Sequence, residues 1–284
     1  MDNAITKNHG SPDSDAKPRL IGHEWLLQDQ RSTADLVETA LTDTDREDNL
    51  PENYHAIAVL HARGTRDVLE AALALCATPD PRRRALGALI LGGLGPFEKK
   101  TFPEECCDAL LDLVRHDRDL HVLAVAVSAL GHLRNRRCEP DLIALKNHPD
   151  EEIRHSVAFA LRGTKEPASV QALLELMEDP NERARDWATT SIGQTVSVDG
   201  AEIRAALLRR VNDSDVLTRA EALHGLARRR DERVVPYLIA NLPLERDGTY
   251  PFYDAAMTFL GVDEDREVDL EELLAALRSR TLPV

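Results

Sequence analysis

Three consecutive residues, Arg185, Asp186 and Trp187, offer the clearest chemistry in the chain. A guanidinium, a carboxylate and an indole placed side by side could contact a ligand, and a tryptophan could anchor a protein partner. Equivalent positions in the repeats described below hold residues as different as Leu86 and Glu221, so we expect Trp187 not to be deeply buried. Packing of the indole against a neighbouring helix is the alternative interpretation, and the sequence leaves both open.

A second candidate surface consists of acidic and amide side chains. Glu104, Asp108 and Asp112 recur every fourth residue and therefore share one face of a helix. Later helices contribute residues that project in a similar way, namely Gln171, Glu175, Tyr237 and Asn241. Together these side chains would form an acidic strip with one aromatic ring, suited to a basic protein partner. An ordinary solvated helix face is the alternative.

Four arginines recur once in each of four repeats: Arg84, Arg154, Arg185 and Arg219. One interpretation is a ladder of anion-binding groups. The other is a structural ladder, in which each guanidinium bonds to a loop or an acid of a neighbouring repeat. The regular recurrence favours the structural ladder.

The sequence lacks common signatures of nucleotide, metal or nucleophilic chemistry. It contains no glycine-rich phosphate loop, no HExxH and no GxSxG. The ten histidines show no metal-ligand spacing, and the four cysteines form no CxxC pair. We therefore expect a non-enzymatic protein with no catalytic residues, no metal and no cofactor. So few cysteines are typical of a reduced, intracellular protein.

Repeating helical segments must position these residues. In five segments an acid or amide opens the pattern, a small residue follows seven positions later, and an aliphatic residue closes it after eleven. The openers are Asp80, Asp119, Asp150, Asn181 and Asp215. A recurrence of 31 to 39 residues predicts stacked helical hairpins, because one hairpin cannot bury its apolar face alone. Each opener is predicted to cap the first helix of its hairpin.

The pattern divides the chain into four parts. Residues 1–18 are polar and are predicted to form a disordered arm. Residues 19–52 would contain a cap helix and an acidic loop, residues 53–243 six repeats, and residues 244–284 a degenerate capping repeat. We therefore predict an all-α, right-handed solenoid of about seven hairpins, with the second helix of each hairpin lining the concave face.

The charge distribution restricts the class of partner. The formal net charge is −15, and residues 1–50 and 245–284 each carry −6 of it. A phosphate backbone would be repelled, so nucleic acid is disfavoured, whereas a basic protein would be attracted. No secretory signal and no apolar run long enough to cross a membrane is visible. We expect a cytoplasmic monomer.

The pattern D-x-x-x-R-x-x-A-x-x-x-L, with a second helix such as residues 168–177, resembles short bacterial HEAT-like repeats of the bilin-lyase type over residues 50–245. Residues 157–161 and 185–189 further resemble an uncharacterised bacterial group of single-chain HEAT-repeat proteins. Some members of that group look like immunity proteins encoded beside polymorphic toxins. The resemblance implies a protein-binding array that neutralises a basic toxin domain.

Two other functions stay open. HEAT-like arrays also include bacterial alkylpurine DNA glycosylases, which use aromatic, acidic and basic residues on a concave surface. That resemblance implies an enzymatic role centred on Asp186 and Trp187. The third possibility is a scaffold or assembly subunit of a bacterial complex. Among the three, a non-enzymatic protein-binding module is the leading expectation.

Overall fold

The fold is seen in a computed structural model that describes residues 23–43, 51–96, 99–244, 251–263, 266 and 268–280. Across these residues the chain forms α-helices and short 3-10 segments, without any strand. The predicted disordered arm at residues 1–18 lies outside the described residues, as does most of the predicted acidic loop.

The helices form seven consecutive hairpins behind one leading helix, α1 (Thr33–Asp43), which packs against the first hairpin. The first helices of the hairpins are α2 (Pro51–Arg63), α4 (Pro81–Gly93), α6 (Leu120–Leu133), α8 (Glu151–Ala160), α10 (Glu182–Thr190), α12 (Val216–Arg228) and α14 (Pro251–Leu260). The second helices are α3 (Arg66–Cys76), α5 (Pro103–His116), α7 (Glu139–Ala144), α9 (Pro167–Leu176), α11 (Ala201–Arg210), α13 (Val235–Asn241) and α15 (Leu270–Arg280). The prediction of an all-α solenoid of about seven hairpins is confirmed.

The predicted opening residues cap the first helices. Side-chain oxygens of Asp80, Asp119, Asp150, Asn181 and Asp215 accept hydrogen bonds from backbone N–H groups two or three residues further on. These bonds satisfy donors that have no partner within the first helical turn. The repeated acid or amide therefore sets where each of the five helices begins.

The closing residues of the pattern form the centre of the core. They are Leu91, Leu130, Leu161, Ile192 and Leu226, and none of them is more than 1% exposed. One apolar cluster runs without a break from Leu26 to Leu277, so neighbouring hairpins share their buried surface. Burying each such side chain contributes roughly 1.5–3 kcal/mol, and no hairpin could bury its own closing residue alone.

The first helices stack more closely than the second helices. From α4 to α14, successive first helices touch along much of their length, whereas successive second helices meet at few points. A Cβ atom on Gly92 would lie 2.7 Å from the Cα of Ala129, and one on Gly131 would lie 2.6 Å from the Cα of Ala160. An array bends toward the side on which its helices lie closer. The first helices therefore line the concave face.

The expectation that the second helices line the concave face was wrong. The repeat pattern located both layers, but the direction of curvature depends on the spacing between repeats. That spacing is small in the first-helix layer because glycine and alanine face each other there. In the second-helix layer long ion-paired side chains, such as Arg115 with Asp141, bridge neighbouring repeats.

Three of the four ladder arginines form bidentate pairs with nearly buried carboxylates. The pairs are Arg84 with Asp117, Arg154 with Asp179, and Arg185 with Asp213. Each guanidinium also donates to two carbonyl groups of the loop before its own helix, and the carboxylate belongs to the loop before the next first helix.

Among the described residues, the fourth ladder arginine, Arg219, bonds only to carbonyl groups, those of Asp213 at 2.7 Å and Ser214 at 3.1 Å. The guanidinium of Arg84 lowers the pKa of Asp117 by hydrogen bonding, and Arg185 likewise lowers the pKa of Asp213 against the opposing effect of burial. Because these arginines already bond to their own chain, we propose that the ladder is structural.

Candidate protein-binding groove

A groove runs along the first helices on the concave face. Between α2, α4 and α6 it contains a cavity of about 270 Å³, and between α4, α6, α8 and α10 a second of about 530 Å³. Leu89 and His132 line both cavities, so the two lie next to each other. Leu89 is 40% exposed and Leu120, at the edge of the larger cavity, is 50% exposed. The groove therefore presents large aliphatic side chains to solvent.

Three rings extend the groove across α6, α8 and α10. His132, Phe159 and Trp187, the aromatic row, contact one another edge to face, with centroid distances of 5.0 Å between the first two and 4.9 Å between the last two. The guanidinium of Arg162 lies 3.8 Å from the centre of the Phe159 ring. Edge-to-face contacts hold rings in fixed orientations. Trp187 is thus half-buried and held in place, with part of its indole facing solvent.

The repeat register explains why these side chains share one face. Positions five, six and nine after each N-cap residue lie on one side of a helix with 3.6 residues per turn. In α8 these positions include His155 and Phe159, in α10 Asp186 and Trp187, and in α12 Glu221 and His224. Every first helix therefore contributes side chains to the groove, and their chemistry changes along the array.

Two partly buried carboxylates, Asp186 of α10 and Glu221 of α12, have no ion-pair partner among the described residues. The Oδ1 atom of Asp186 is buried and has no hydrogen-bond partner. Burial, together with the negative charges of Glu221 and Asp215, raises the pKa of Asp186 to about 6. Burial also raises the pKa of Glu221, whose carboxylate accepts one hydrogen bond from Gln194. No lysine, arginine or histidine in the described part of the chain forms an ion pair with either carboxylate.

The histidines of the groove are poor bases. Burial lowers the pKa of His61 to about 4, although its ring lies 3.1 Å from the carbonyl oxygen of Leu89. Burial also lowers the pKa of His132, His155 and His224. These four rings are therefore mostly neutral at neutral pH and supply no positive charge to Asp186 or Glu221.

The predicted acidic strip lies in the other layer, and most of its charges are already paired. Glu104 and Asp108 both contact Arg137, which begins the second half of the next repeat. Asp112 bonds to His116 one turn further along the same helix, at 2.9 Å. Glu175 pairs with Lys146 of the preceding repeat.

The remaining predicted contact residues of the second-helix layer are less acidic. Gln171 is exposed, whereas Tyr237 packs partly against the core. The amide of Asn241 donates to the carbonyl of Tyr237 at 2.9 Å. The structure thus separates the predicted contact residues, because only Asp186 and Trp187 lie on the concave face.

Sequence reasoning missed several residues of the groove, notably Phe159, Glu221 and His132. The signal was present, because Phe159 and Glu221 stand at positions nine and six after an N-cap residue, where the groove-facing side chains recur. The choice of the second helices as the concave layer directed attention away from these positions.

Other chemistry finds little support among the described residues. No three metal-ligating side chains come together there, and no helix there is long and apolar enough to cross a bilayer. Cys106 and Cys138 are buried, and burial raises the pKa of their thiols to about 11 and about 12, so both remain protonated.

The stacked hairpins, N-caps and shared core define an α-helical repeat protein. Residues 107–193 and 176–249 match the profile of HEAT repeats and together span half of the chain, so the chain belongs to the HEAT-repeat family.

Its relatives include Protein YibA of Escherichia coli K12, which is 27% identical over 190 residues, covering 65% of this chain and 67% of the relative. Protein YibA of E. coli O157:H7 matches equally well. The X-ray structure of E. coli YibA superposes with a TM-score of 0.65 and 21% identity, covering 97% of this chain and 98% of the other. That similarity shows a shared fold.

Proposed function

We propose that this chain is a non-enzymatic protein-binding module that holds a basic partner protein in its concave groove. The observation that carries the proposal is the row of apolar groove side chains, the exposed Leu89 and Leu120 and the partly buried Trp187, on the same face as the unpartnered carboxylate of Asp186. Exposed apolar side chains rimmed by polar ones are typical of protein interfaces, and tryptophan is a frequent anchor there. The net charge of −15 attracts basic proteins.

The finer form of the proposal is an immunity protein that neutralises a basic toxin domain, such as a nuclease. Two observations support it: the negative charge, and the resemblance of residues 157–161 and 185–189 to a group that includes such proteins. An acidic surface would increase the rate of encounter with a basic domain, and the apolar groove would slow its dissociation.

Affinity capture from the native cell, with mass spectrometry of the bound proteins, tests the proposal. The baits are the parent chain, Trp187→Ala in the groove and Glu175→Lys on the opposite layer. We expect one basic protein to be retained by the parent and by Glu175→Lys, to be lost from Trp187→Ala, and to be released as salt rises.

Capture that depends on Glu175 and not on Trp187 would place the interface on the second-helix layer and refute the proposed groove. A stoichiometric complex with partners that are not basic and not toxic would favour a scaffold or assembly subunit over an immunity protein. Co-expression with a toxic neighbour gene provides the direct measure of neutralisation.

A second candidate function is a DNA glycosylase-like enzyme, favoured by the unpaired carboxylate of Asp186 beside Trp187 on the concave face. A base-excision assay on alkylated DNA, with Asp186→Asn as the control, separates it from binding alone. Activity that disappears in Asp186→Asn would support the enzyme. No activity in either chain would reject it, and equal activity in both would reject Asp186 as the catalytic residue.

A further inference from the structure

We propose that the turns of the third and fourth hairpins bind a phosphate group, free or carried by a small molecule, in a cavity lined by Arg134 and Arg162. The cavity, here called the turn cavity, has a volume of about 320 Å³ and lies at the ends of α6 and α8. It shares no lining residue with the two cavities of the groove, so this site does not depend on a protein partner.

The two arginines of the turn cavity carry charges that the chain leaves unneutralised. Among the described residues, neither Arg134 nor Arg162 forms an ion pair with an acid, and the Arg134 side chain makes no hydrogen bond. The guanidinium of Arg162 donates to the carbonyl of Phe159 at 3.1 Å and lies 3.8 Å from the centre of that ring. Burial, and after it the positive charge of Arg134, lowers the pKa of Arg162 to about 10, so both groups are charged at neutral pH. An anion in the cavity would relieve their repulsion.

The other charged groups that line the turn cavity already have partners in the chain. Glu139 is buried, and its Oε2 atom accepts hydrogen bonds from the hydroxyl groups of Thr164 at 2.9 Å and Ser169 at 2.5 Å. Arg136 is exposed and pairs with Glu166 at 3.4 Å. The lining therefore holds three arginines and one acid, and that acid binds hydroxyl groups, so the cavity keeps an excess of positive charge.

The fold does not account for an arginine at position 134. Arg134 ends α6 with a left-handed backbone, at a φ of 53°, which favours glycine. Gly163 and Gly261 take the same backbone after α8 and α14, at φ values of 71° and 70°. Arg230, after α12, has a φ of 52°, but its guanidinium bonds to the carbonyl of Phe259 in the next hairpin. Arg134 has the same unfavourable backbone without such a bond, so its side chain is available to a ligand.

The space between the turns of the fifth and sixth hairpins is filled by the chain itself. There Arg229 donates to the carbonyl groups of Ile192 at 2.8 Å, Gly193 at 3.1 Å and Val196 at 3.3 Å. Only 8% of its side chain is exposed. Between the third and fourth hairpins Arg162 bonds to its own helix instead, and the space remains open as the turn cavity.

The size and charge of the turn cavity select a small phosphate-bearing ligand. A guanidinium binds phosphate oxygens through two parallel hydrogen bonds, and a phosphate dianion matches two such groups in charge, whereas a carboxylate matches one. A volume of about 320 Å³ is that of a small-molecule pocket and is larger than one phosphate ion. Nucleic acid fits poorly, because the net charge of −15 repels a polyanion.

Isothermal titration calorimetry of the full chain with inorganic phosphate, at constant ionic strength, tests the site. Glucose 6-phosphate and acetate are the comparison probes. We expect phosphate to bind saturably and acetate to bind at least about tenfold more weakly. Tighter binding of glucose 6-phosphate than of phosphate would identify a phosphate ester as the ligand, and equal or weaker binding would identify the free ion. Equal binding of acetate, or no saturation up to roughly 50 mM phosphate, would overturn the proposal.

Matched variants locate the site and separate it from the fold. Arg134→Gly removes one guanidinium and places glycine at the positive φ, so it should weaken phosphate binding by about tenfold or more without lowering the thermal midpoint. Arg162→Gln should weaken binding by a similar factor. Arg209→Gln, which removes an equal charge from α11, where Arg209 bonds to Glu178 at 2.8 Å, should leave binding unchanged. Unchanged binding in Arg134→Gly, or equal weakening by all three substitutions, would overturn the proposal.

Discussion

Asp186→Asn should stabilise the free protein, although it removes a charge from an exposed groove. The pKa of Asp186 is about 6 in the folded chain, compared with an ordinary value of 3.8. At pH 8 the folded chain must ionise a carboxyl group that resists ionisation by about two pKa units. One pKa unit corresponds to about 1.4 kcal/mol, but solvent screens this partly exposed side chain, so the penalty at pH 8 is on the order of 1–2 kcal/mol. Asparagine carries no charge, so the variant avoids this ionisation penalty.

The gain in the free energy of unfolding from Asp186→Asn depends on pH, and the raised pKa fixes the direction of that dependence. Because the pKa is raised in the folded state, the folded chain binds this proton more tightly than the unfolded chain does. The penalty is therefore full above pH 6, declines as the pH falls toward 3.8, and vanishes below that value. At pH 5 the expected gain from Asp186→Asn is about half as large as at pH 8.

Urea unfolding followed by circular dichroism, at pH 8 and at pH 5, measures both values. Glu175→Gln is the matched control, because it also removes one carboxylate, but from a side chain that is 43% exposed and paired with Lys146. Exposed pairs contribute about 0–1 kcal/mol, so the control should change the free energy of unfolding little at either pH.

Two results would refute the reasoning. A loss of stability in Asp186→Asn would mean that the carboxylate has a stabilising partner in the folded chain. An equal gain at pH 8 and pH 5 would mean that the gain does not arise from ionisation of Asp186.

Four further substitutions test the framework that holds the groove. Arg154→Met should destabilise the chain by roughly 3–5 kcal/mol, because it leaves a buried carboxylate without its cation. Arg219→Met removes only contacts to carbonyl groups and should cost about 1–2 kcal/mol in the same urea assay. Gly131→Ala should cost about 1–3 kcal/mol, since the new Cβ would lie 2.6 Å from the backbone of the next helix; a change below about 0.5 kcal/mol would contradict the close stacking. Leu161→Asp should lower the thermal midpoint sharply by placing a charge in the core, whereas Glu175→Lys should leave it nearly unchanged, and equal melting of the two would show that the repeat register is wrong.

The helices were predictable because the repeat encodes them locally. An N-cap acid or amide sets the start of a helix by bonding to N–H groups two or three residues away. The closing aliphatic residue lies eleven positions later, three helical turns into the core. Asp150 and Leu161 illustrate both relations, and the structure places them as the pattern indicates.

The surface could not be predicted in the same way, because it depends on distances between repeats. Sequence spacing shows that Glu104 and Asp108 share a helix face, but it does not show that Arg137 reaches both of them from the next repeat. The curvature of the array also depends on distances between repeats. Gly92 permits the close approach of two first helices only because Ala129 stands opposite, and that pairing belongs to the stacked array rather than to either helix.

Departures from the repeat indicate where function lies in such an array. A position that serves the fold keeps one chemistry in every copy, as the closing aliphatic residues do. The position held by Asp186 changes from alanine to histidine to aspartate along the first helices, and the change to aspartate introduces a buried oxygen without a partner. Selection for stability alone would favour alanine there, because ionisation of the acid weakens the folded state. The acid at this position is therefore a departure from the repeat that the stability of the fold does not explain.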